Sequence, residues 1–484
     1  MIQAHRSFSR LAQVAGLLIA ALTMVVSCGS SGSDRNPSTV SGGQEMAASV
    51  SQHGITWEFD REYEVGQFIT GDYWVIGPVT ITYITRPNND PERDGSMVNP
   101  MSGGSSRPQG FDSRGNAYDD SLNVANYLPL TVQPVSSLVS KISNPTGGHD
   151  TIDDAAVLTV LDTAPSATAF RPPYSGDRKI IHDWNDVDLS PLLSLPLVPS
   201  ATASRIQWAK NAHARPWVAL YSYWKGIQEL IPSNNMPTYG RNIASTGNDV
   251  AMMLLLDIPQ SDKEEIAKGF IQTGIDLHEN LMNGWKGGGV GGGLSHGFKL
   301  PGILAGVLLN NTEMKEFHIH NNTRIYSMED SQIEYLTQEL IDANHSRHSD
   351  PDDNYYRFFD DIPLGTPVWI ERGWNWADRN WYNLPGGGIE GGYMICCTTN
   401  ATVGSALVVR LLGIENLWNY DPFLEWVDFY QGYNSPTFYV DDWRSESWHF
   451  FWSRPFAREM WLEYRGLADE HRVALPLPPS VTVE

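Results

Sequence analysis

WKGGGVGGGLSHGFKLPGIL, the stretch from Trp285 to Leu304, decides how the second half of the chain is organised. Seven of the eleven residues from Gly287 to Gly297 are glycine. This density excludes helix and strand, because glycine loses more backbone entropy on ordering than any other residue. Helix-like patterns precede and follow the stretch, which therefore predicts a long loop between two buried helices. The loop carries His296, whose imidazole can titrate near neutral pH; a flexible connector with an incidental histidine is the alternative.

The helical pattern extends over residues 201–470. About nine segments show it, separated by glycine, proline or asparagine, among them KEEIAKGFIQTGIDLHENL, WVALYSYWKGIQELI, SQIEYLTQELIDA and TVGSALVVRLLGI. Several segments are apolar on nearly all sides and the loops between them alternate in length, which indicates stacked helical hairpins. We expect an all-α, (α/α) toroid-like catalytic domain with its long loops on one face, and an irregular helical bundle is the alternative.

Residues 52–168 consist of short segments rich in β-branched and aromatic residues, such as GITWEFD, DYWVIG and PVTITYITR. About seven such strands over this length predict a β-sandwich. Residues 169–200 are proline-rich and predict an extended connector. The expected fold class is therefore multidomain α+β, with an N-terminal β-sandwich followed by the toroid-like domain.

The N-terminus has the pattern of a signal peptide. Basic residues precede the apolar run LAQVAGLLIAALTMVVS, which leads directly to Cys28. Val25-Val26-Ser27-Cys28 resembles the bacterial lipobox, in which the cysteine is acylated. The resemblance implies a signal peptide over residues 1–27, lipidation of Cys28 and a flexible tether over residues 28–51. It also implies a lipid anchor in the cell envelope, at the outer membrane or cell surface. Residues 471–484 are expected to form a C-terminal tail.

Charge and composition restrict the partners. The formal net charge of −23 argues against nucleic acid, because binding it requires basic surface that neutralises phosphates. The chain contains 17 tryptophans and 20 tyrosines. Exposed aromatic rings bind the apolar faces of sugars, so this composition indicates a carbohydrate partner, and large aromatic cores are the alternative. The sequence contains no G-x-S-x-G, H-E-x-x-H or P-loop motif.

Four loop clusters between the predicted helices are rich in asparagine, histidine, tyrosine and arginine; they lie at residues 234–249, around His296, and at 318–330 and 371–393. These residue types suit β-elimination on a uronate-containing glycan. The proton next to the uronate carboxylate is acidic only when that carboxylate is neutralised, which asparagine or arginine can do. A neutral histidine or a tyrosine can then take the proton, and a tyrosine can protonate the leaving oxygen.

In residue types and order, these clusters resemble the toroid-type polysaccharide lyases of bacteria. An asparagine pair, Asn234-Asn235, comes first, His296 follows, and Arg324 and Tyr326 come last. The resemblance implies a carbon–oxygen lyase with a polysaccharide substrate. The chain differs from several alginate-type lyases in that Met236-Pro237, and not histidine, follows the asparagine pair.

The chemistry and the resemblance together assign roles to individual residues. We expect His296 and Tyr326 to transfer protons, with Tyr239 as a substitute for either, and Asn235 and Arg324 to bind the uronate carboxylate. Further substrate-binding residues are expected among aromatic and polar side chains: Trp374, Trp376, Trp381, Arg241 and Asn248. Helix capping by the asparagines, packing of the tyrosines and local ion pairs of the arginines are the alternatives.

Two other functions fit the same loops. A glycoside hydrolase would use two carboxylates, and the candidates are Asp249, Glu329, Asp330, Glu371, Asp378 and Glu390. A non-catalytic glycan-binding lipoprotein would use the tryptophans, with the polar loops shaping the groove.

The predicted chemistry requires no cofactor, and no metal site is predicted. Zinc is an alternative at His318-x-His320 with His345-x-x-His348, because imidazoles two apart on a strand point to one side. Structural Ca²⁺ is an alternative at Asp112, Asp119 and Asp120, which otherwise form solvated turns. Cys396 and Cys397 are adjacent and are expected to be two buried thiols.

Overall fold

Strands and helices occupy different stretches of the chain. The computed structural model describes residues 45–103, 107–146, 150–220, 230–286, 293, 295–347, 359–360, 362–370, 400–431, 433 and 454–474. All of them belong to one unit, Gly42–Glu484. Strands dominate the first part of the described residues and helices the second, so the mixed α and β class expected from the sequence is confirmed.

Eight strands form one sheet. They are β1 (Glu45–Gln52), β2 (Ile55–Gln67), β3 (Tyr73–Ile76), β4 (Val79–Ile84), β5 (Ser96–Val98), β6 (Leu130–Val132), β7 (Ser136–Ser143) and β8 (Ile152–Leu161). Their order is β5-β7-β8-β3-β2-β4-β6, and β1 pairs with β2. Neighbours are antiparallel except β3 and β8, which are parallel and are joined by the crossover that a parallel pair requires.

Strand β2 is shared by two parts of this sheet. Its first half pairs with β4, through Trp57 to Phe59, and its last residues pair with β3. The indole N–H of Trp57 donates a hydrogen bond of 3.0 Å to the hydroxyl oxygen of Ser140 on β7. Strands β8 and β3 separate β7 from β2 in the hydrogen-bonded order. The sheet therefore curls around its own apolar core, in which Trp57 is fully buried.

The sheet begins earlier than the sequence predicts. Sequence alone predicts a flexible tether over residues 28–51, but β1 occupies Glu45–Gln52. Val50 is the only buried residue of this strand, so its composition resembles that of a polar linker. Hydrogen bonding along β2, which is 13 residues long, supplies the order that side-chain burial does not.

Thirteen α-helices are described. They are α1 (Ala203–Ala212), α2 (Gly240–Leu254), α3 (Gln260–Met282), α4 (Lys299–Leu308), α5 (Thr312–Lys315), α6 (Phe317–His320), α7 (Thr323–Tyr326), α8 (Met328–Ser331), α9 (Gln338–Arg347), α10 (Asn400–Leu412), α11 (Glu415–Trp418), α12 (Asp421–Tyr430) and α13 (Pro455–Ala474). Among them, β9 (Ile333–Tyr335) and β10 (Pro367–Trp369) form a two-stranded antiparallel sheet. No helix in the described part of the chain is long and apolar enough to span a membrane.

Two segments predicted to be helical differ in the structure. In WVALYSYWKGIQELI, residues Trp217–Leu220 are not helical and lie buried in apolar clusters. In SQIEYLTQELIDA, Ile333–Tyr335 form β9, and α9 begins only at Gln338. Short apolar runs satisfy a helix or a buried extended segment equally well, and pairing with distant residues decides between them.

Helices α3 and α4 form the hairpin on either side of the glycine-rich stretch, and both are buried along most of their length, as predicted. They approach closely at Gly274, where a Cβ atom would lie 2.4 Å from the Cβ of Ala305 and from the carbonyl oxygen of Pro301. Only glycine therefore fits at this position of α3.

A buried arginine joins the sheet to the helices. Arg171, in the connector, donates from Nε to Asp72 in the β2–β3 turn, at 2.9 Å. Its other nitrogens donate to both carboxylate oxygens of Asp276 on α3, at 3.0 Å for the Nη1 bond. All three side chains are buried. Burial raises the pKa of Asp276 to about 6, although Arg171 acts in the opposite direction.

The Arg171→Met substitution tests this link. It leaves two buried carboxylates without their cation, so we expect the free energy of unfolding to fall by about 3–5 kcal/mol. The matched control is Arg93→Met, which removes a partly exposed pair with Asp90 and is expected to change stability by less than about 1 kcal/mol. Urea unfolding followed by tryptophan fluorescence measures both. Equal effects of the two substitutions would contradict the role of Arg171.

Lys141 on β7 is buried without a carboxylate partner at hydrogen-bond distance among the described residues. Its ammonium group donates to the carbonyl oxygen of Leu230 and lies 4.2 Å from the centroid of the Phe111 ring. Burial lowers the pKa of Lys141 to about 7, and the charge of Asp112 opposes the shift.

The low pKa makes stability depend on pH. Between about 7 and the ordinary value of 10.5, the unfolded state binds a proton at Lys141 that the folded state does not. Stability from this residue is therefore lost as pH falls through that window. We expect Lys141→Met to be more stable than the wild type at pH 7, with the difference shrinking towards pH 10. Urea unfolding at several pH values checks this, and a difference independent of pH would count against it.

Candidate functional site

Residues at the end of the glycine-rich stretch pack against α2. The backbone N–H of Arg241, in the first turn of α2, donates to the carbonyl oxygen of Gly293 at 2.8 Å. Gly297 has a φ of 92°, and a Cβ atom there would lie 2.4 Å from the Cα of Ala244. The turn that contains His296 is therefore seated directly on the α2 backbone.

His296 faces a carboxylate of α8. Its Nδ1 lies 3.9 Å from Oε1 of Glu329, and each of the two side chains is only 1% exposed. The carboxylate of Glu329 is itself held in place. Oε1 accepts the backbone N–H of Gly297 at 2.7 Å, and Oε2 accepts the hydroxyl of Ser327 at 3.1 Å. An imidazole beside a fixed carboxylate is the arrangement that general-base catalysis uses.

A second buried pair, Lys299 with Asp330, lies beside the pair of His296 with Glu329. Lys299, the first residue of α4, donates to Asp330, to Thr323 Oγ1 at 2.6 Å and to the carbonyl oxygen of Trp418. The indole N–H of Trp418 donates to the other oxygen of Asp330 at 3.0 Å. Burial lowers the pKa of Lys299 and raises that of Asp330, while the attraction between the two charges opposes both shifts.

An apolar cluster brings the other candidate segments to the same region. Its buried residues are Trp217, Ala219, Ile231, Met236, Ile243, Leu277, Leu281, Trp285, Phe298 and Phe317. Tyr326 packs against it, with its ring 5.2 Å from that of Phe317 in a T-shaped contact. Met236 is the neighbour of Asn235, and Ile243 is one turn from Tyr239. The segments that carry Asn235, Tyr239, His296 and Tyr326 therefore surround one cluster.

Asn235 and Tyr239 lie before and at the start of α2. The amide of Asn235 donates to the carbonyl oxygen of Pro216 at 3.0 Å, and its buried Oδ1 has no hydrogen-bond partner among the described residues. Tyr239 is the N-terminal capping residue of α2, and its half-buried ring lies 5.5 Å from the guanidinium of Arg241.

Arg324 and Asn248 have structural partners. Arg324 on α7 forms an ion pair with Glu334 on β9, although its buried Nη2 has no hydrogen-bond partner in the described part of the chain. Asn248 is buried inside α2; its amide donates to the carbonyl oxygen of Ala401, and its Oδ1 accepts from Ser405 at 2.8 Å. It links α2 to α10 through these two bonds, which use its side-chain amide inside the protein.

The carboxylates proposed for a hydrolase are engaged where they are described. Asp249 is buried between two guanidinium groups, those of Arg205 and Arg454, the latter at 2.6 Å. Glu329 and Asp330 make the contacts given above. Several candidates lie outside the described residues: Glu371, Asp378, Glu390, Trp374, Trp376, Trp381, Cys28, Cys396, Cys397 and His348.

His318, His320 and His345, the described histidines among those considered for zinc, do not converge. His318 and His320 lie on a helix, α6, and not on a strand, so side chains two residues apart point in different directions. His318 is buried, whereas the side chain of His320 is 69% exposed and lies 3.5 Å from Glu316. Burial lowers the pKa of His318 well below its usual value, and Lys299 adds to the shift. His345 pairs separately with Asp360.

The three aspartates considered for Ca²⁺ have separate partners. Asp112 is buried and pairs with Arg114 at 2.7 Å. Asp119 accepts from the backbone of Ser121, and Asp120 accepts from the hydroxyl of Tyr127. The contacts of Asp119 and Asp120 are those of aspartates in turns, which is the alternative to Ca²⁺ binding. Within the described residues, no group of three or more histidine, cysteine, aspartate or glutamate side chains is arranged to hold a metal ion.

Two groups of this site have roles that sequence reasoning did not assign. From the sequence, Glu329 is only a candidate carboxylate for a glycoside hydrolase, and Lys299 has no predicted role. Ser327 caps α8 through the N–H of Asp330, and a serine three residues before an aspartate is a readable helix start. The meeting of α8 with the His296 turn depends on contacts between residues about 30 positions apart, for which no local pattern exists.

No model of a known protein family, no curated protein and no solved structure matches this chain. The function is therefore inferred from the residues and their geometry.

Replacing glycine by alanine tests the contact between the His296 turn and α2. Gly297 and Gly284 both have positive φ, of 92° and 91°, but a Cβ atom at Gly284 has no neighbour within 4 Å. Gly284→Ala is expected to cost about 1–2 kcal/mol of stability from backbone strain alone. Gly297→Ala is expected to cost about 1–3 kcal/mol more, because its Cβ overlaps α2. Thermal and urea unfolding measure both variants, and equal losses would contradict the packing.

Proposed function

We propose that this protein is a polysaccharide lyase that cleaves a uronic-acid-containing glycan by β-elimination. The observation that carries the proposal is the contact between His296 and the fixed carboxylate of Glu329, at the end of the glycine-rich stretch. A carboxylate beside Nδ1 favours the tautomer with its proton on Nδ1. The lone pair on Nε2 can then accept a proton from substrate.

The elimination needs three operations. His296 removes the proton next to the uronate carboxylate. Tyr326 protonates the leaving oxygen, and Tyr239 is the second tyrosine available for this step. Developing charge on the uronate carboxylate is stabilised by hydrogen-bond donors, for which Arg324 and Asn235 are the candidates. Arg324 supports this assignment through its Nη2, which has no partner among the described residues, while Nη1 stays paired with Glu334.

Glycan binding is assigned to side chains that can face a polymer. Arg241 is half-buried at the start of α2 and lies beside the seat of the His296 turn. The indole rings of Trp374, Trp376 and Trp381 are proposed as platforms for sugar rings. Six of the seven residues from Gly287 to Gly293 are glycine, a composition that we propose lets a polymer approach the backbone closely.

The finer architecture and the location belong to the same proposal. We propose that the curled sheet is a β-sandwich, since β2 and β7 face each other across its core. We propose that the buried helices α2, α3, α4 and α10 are inner helices of an (α/α) toroid. Lipidation of Cys28 would anchor the protein in the cell envelope, at the outer membrane or surface, where extracellular glycans are available.

The first test is ultraviolet absorbance with a panel of uronate polymers. β-Elimination leaves a conjugated double bond, so the full-length protein is expected to raise the absorbance with at least one polymer. His296→Ala is expected to lower the rate by at least about 10²-fold, since it removes the general base. The matched control is His320→Ala, which changes an exposed histidine on α6 and is expected to retain the wild-type rate.

Other outcomes identify the alternatives. New reducing ends on a neutral glycan without absorbance would indicate a glycoside hydrolase that uses carboxylates outside the described residues, such as Glu371, Asp378 or Glu390. Saturable retention of glycan without any product would indicate a glycan-binding lipoprotein. Either result would overturn the proposed lyase.

A further inference from the structure

The carboxylate of Glu329 is fixed by a hydrogen bond to each of its two oxygens. Both of its oxygens accept hydrogen bonds, one from the backbone N–H of Gly297 and one from the hydroxyl of Ser327. Gly297 is the residue next to His296, so the bond at 2.7 Å connects the carboxylate to the turn that carries the imidazole. The side chain of Glu329 is 1% exposed, which prevents water from competing for these bonds.

The contact with the imidazole is electrostatic in the unliganded protein. The 3.9 Å between His296 Nδ1 and Glu329 Oε1 is longer than a hydrogen bond. Catalytic hydrogen bonds are often long without substrate and shorten when it binds. A movement of about 1 Å is enough to convert this contact into an Nδ1–H donor bond to the carboxylate.

The neighbouring buried pair limits such movements. Lys299 is three residues after His296, and Asp330 is the residue after Glu329, so their ion pair ties the same two segments together. Trp418 contacts both members of this pair, as donor to Asp330 and as acceptor from Lys299. Among the described residues, the charged groups on the elements around the turn include Arg241 and Asp249 on α2, Lys299 on α4, and Glu329 and Asp330 on α8. Lys299 and Asp330 neutralise each other, and Glu329 is a carboxylate that the structure describes beside His296.

We propose that Glu329 is the positioning residue of this site: it orients the His296 imidazole and keeps the proton on Nδ1, so that Nε2 is the basic nitrogen. The importance of Glu329 for turnover rests on the proposed lyase activity. Its effect on the tautomer of His296 is independent of that activity.

Nuclear magnetic resonance of the histidine ring nitrogens tests the positioning directly. Full-length protein labelled with ¹⁵N-histidine is compared with Glu329→Gln, and His296→Ala identifies the signals of His296. We expect Glu329→Gln to change the tautomer shown by the ring shifts, because the nearby negative charge that favours the proton on Nδ1 is lost. The matched control, Glu334→Gln, changes the partner of Arg324 and is expected to leave these signals unchanged.

Turnover is measured on the same variants. Glu329→Gln is expected to reduce kcat by about 10²-fold or more with little change in KM, because the general base is no longer oriented. Unchanged His296 signals in Glu329→Gln would overturn the positioning role whatever the activity. A changed tautomer with wild-type kcat would overturn its importance for turnover. Absence of lyase activity in the wild type would overturn the proposed function alone, since the ring signals can still be read.

A milder variant covers the case in which Glu329→Gln does not fold. Ser327→Ala removes the hydroxyl that donates to Oε2 and leaves the carboxylate in place. It is expected to shift the His296 ring signals in the same direction by a smaller amount. Signals identical to those of the wild type would count against the positioning role.

Discussion

The buried guanidinium of Arg171 ties the sheet to helix α3. It lies between Asp72 of the β2–β3 turn and Asp276 of α3, and all three groups are removed from water. Burying three charges is costly, and the cost is offset only because Arg171 donates to both carboxylates with its planar fork of N–H groups. Gln272, one turn before Asp276, binds the carbonyl oxygen of Arg171 as well. The position of α3 relative to the sheet is thereby set by polar bonds, which have direction.

The site inherits its geometry from α3. Gly274 brings α4 into close contact with α3, so the ends of the two helices determine where the glycine-rich stretch begins and ends. His296 lies one turn before α4. The close contact of Gly297 with Ala244 fixes the position of this turn on α2. The pair of Lys299 with Asp330 then adds a bond between α4 and α8. Helices α2, α4 and α8 together hold the turn that carries His296. A general base must be held in a fixed orientation in this way.

Sequence reasoning identified the segments of the candidate site better than the partners of its residues. His296, Tyr239, Asn235 and Tyr326 come from segments that pack on one apolar cluster. In contrast, Asn248 is a link between α2 and α10, and Arg324 is paired with Glu334. The type of a polar residue limits the bonds it can make, but the groups that reach it depend on the packing of distant segments.

What the sequence by itself determined is local. Alternating apolar residues predicted the strands of the sheet, helical periodicity predicted α3, α4 and α10, and glycine density predicted the break between α3 and α4, because these features depend on neighbours a few residues apart. Only the tertiary structure decided that Glu45–Gln52 is a strand, that Trp57 bonds to Ser140 across a curled sheet, and that Glu329 faces His296. Each of these depends on residues far apart in the chain, whose contact is set by the free energy of packing the whole unit.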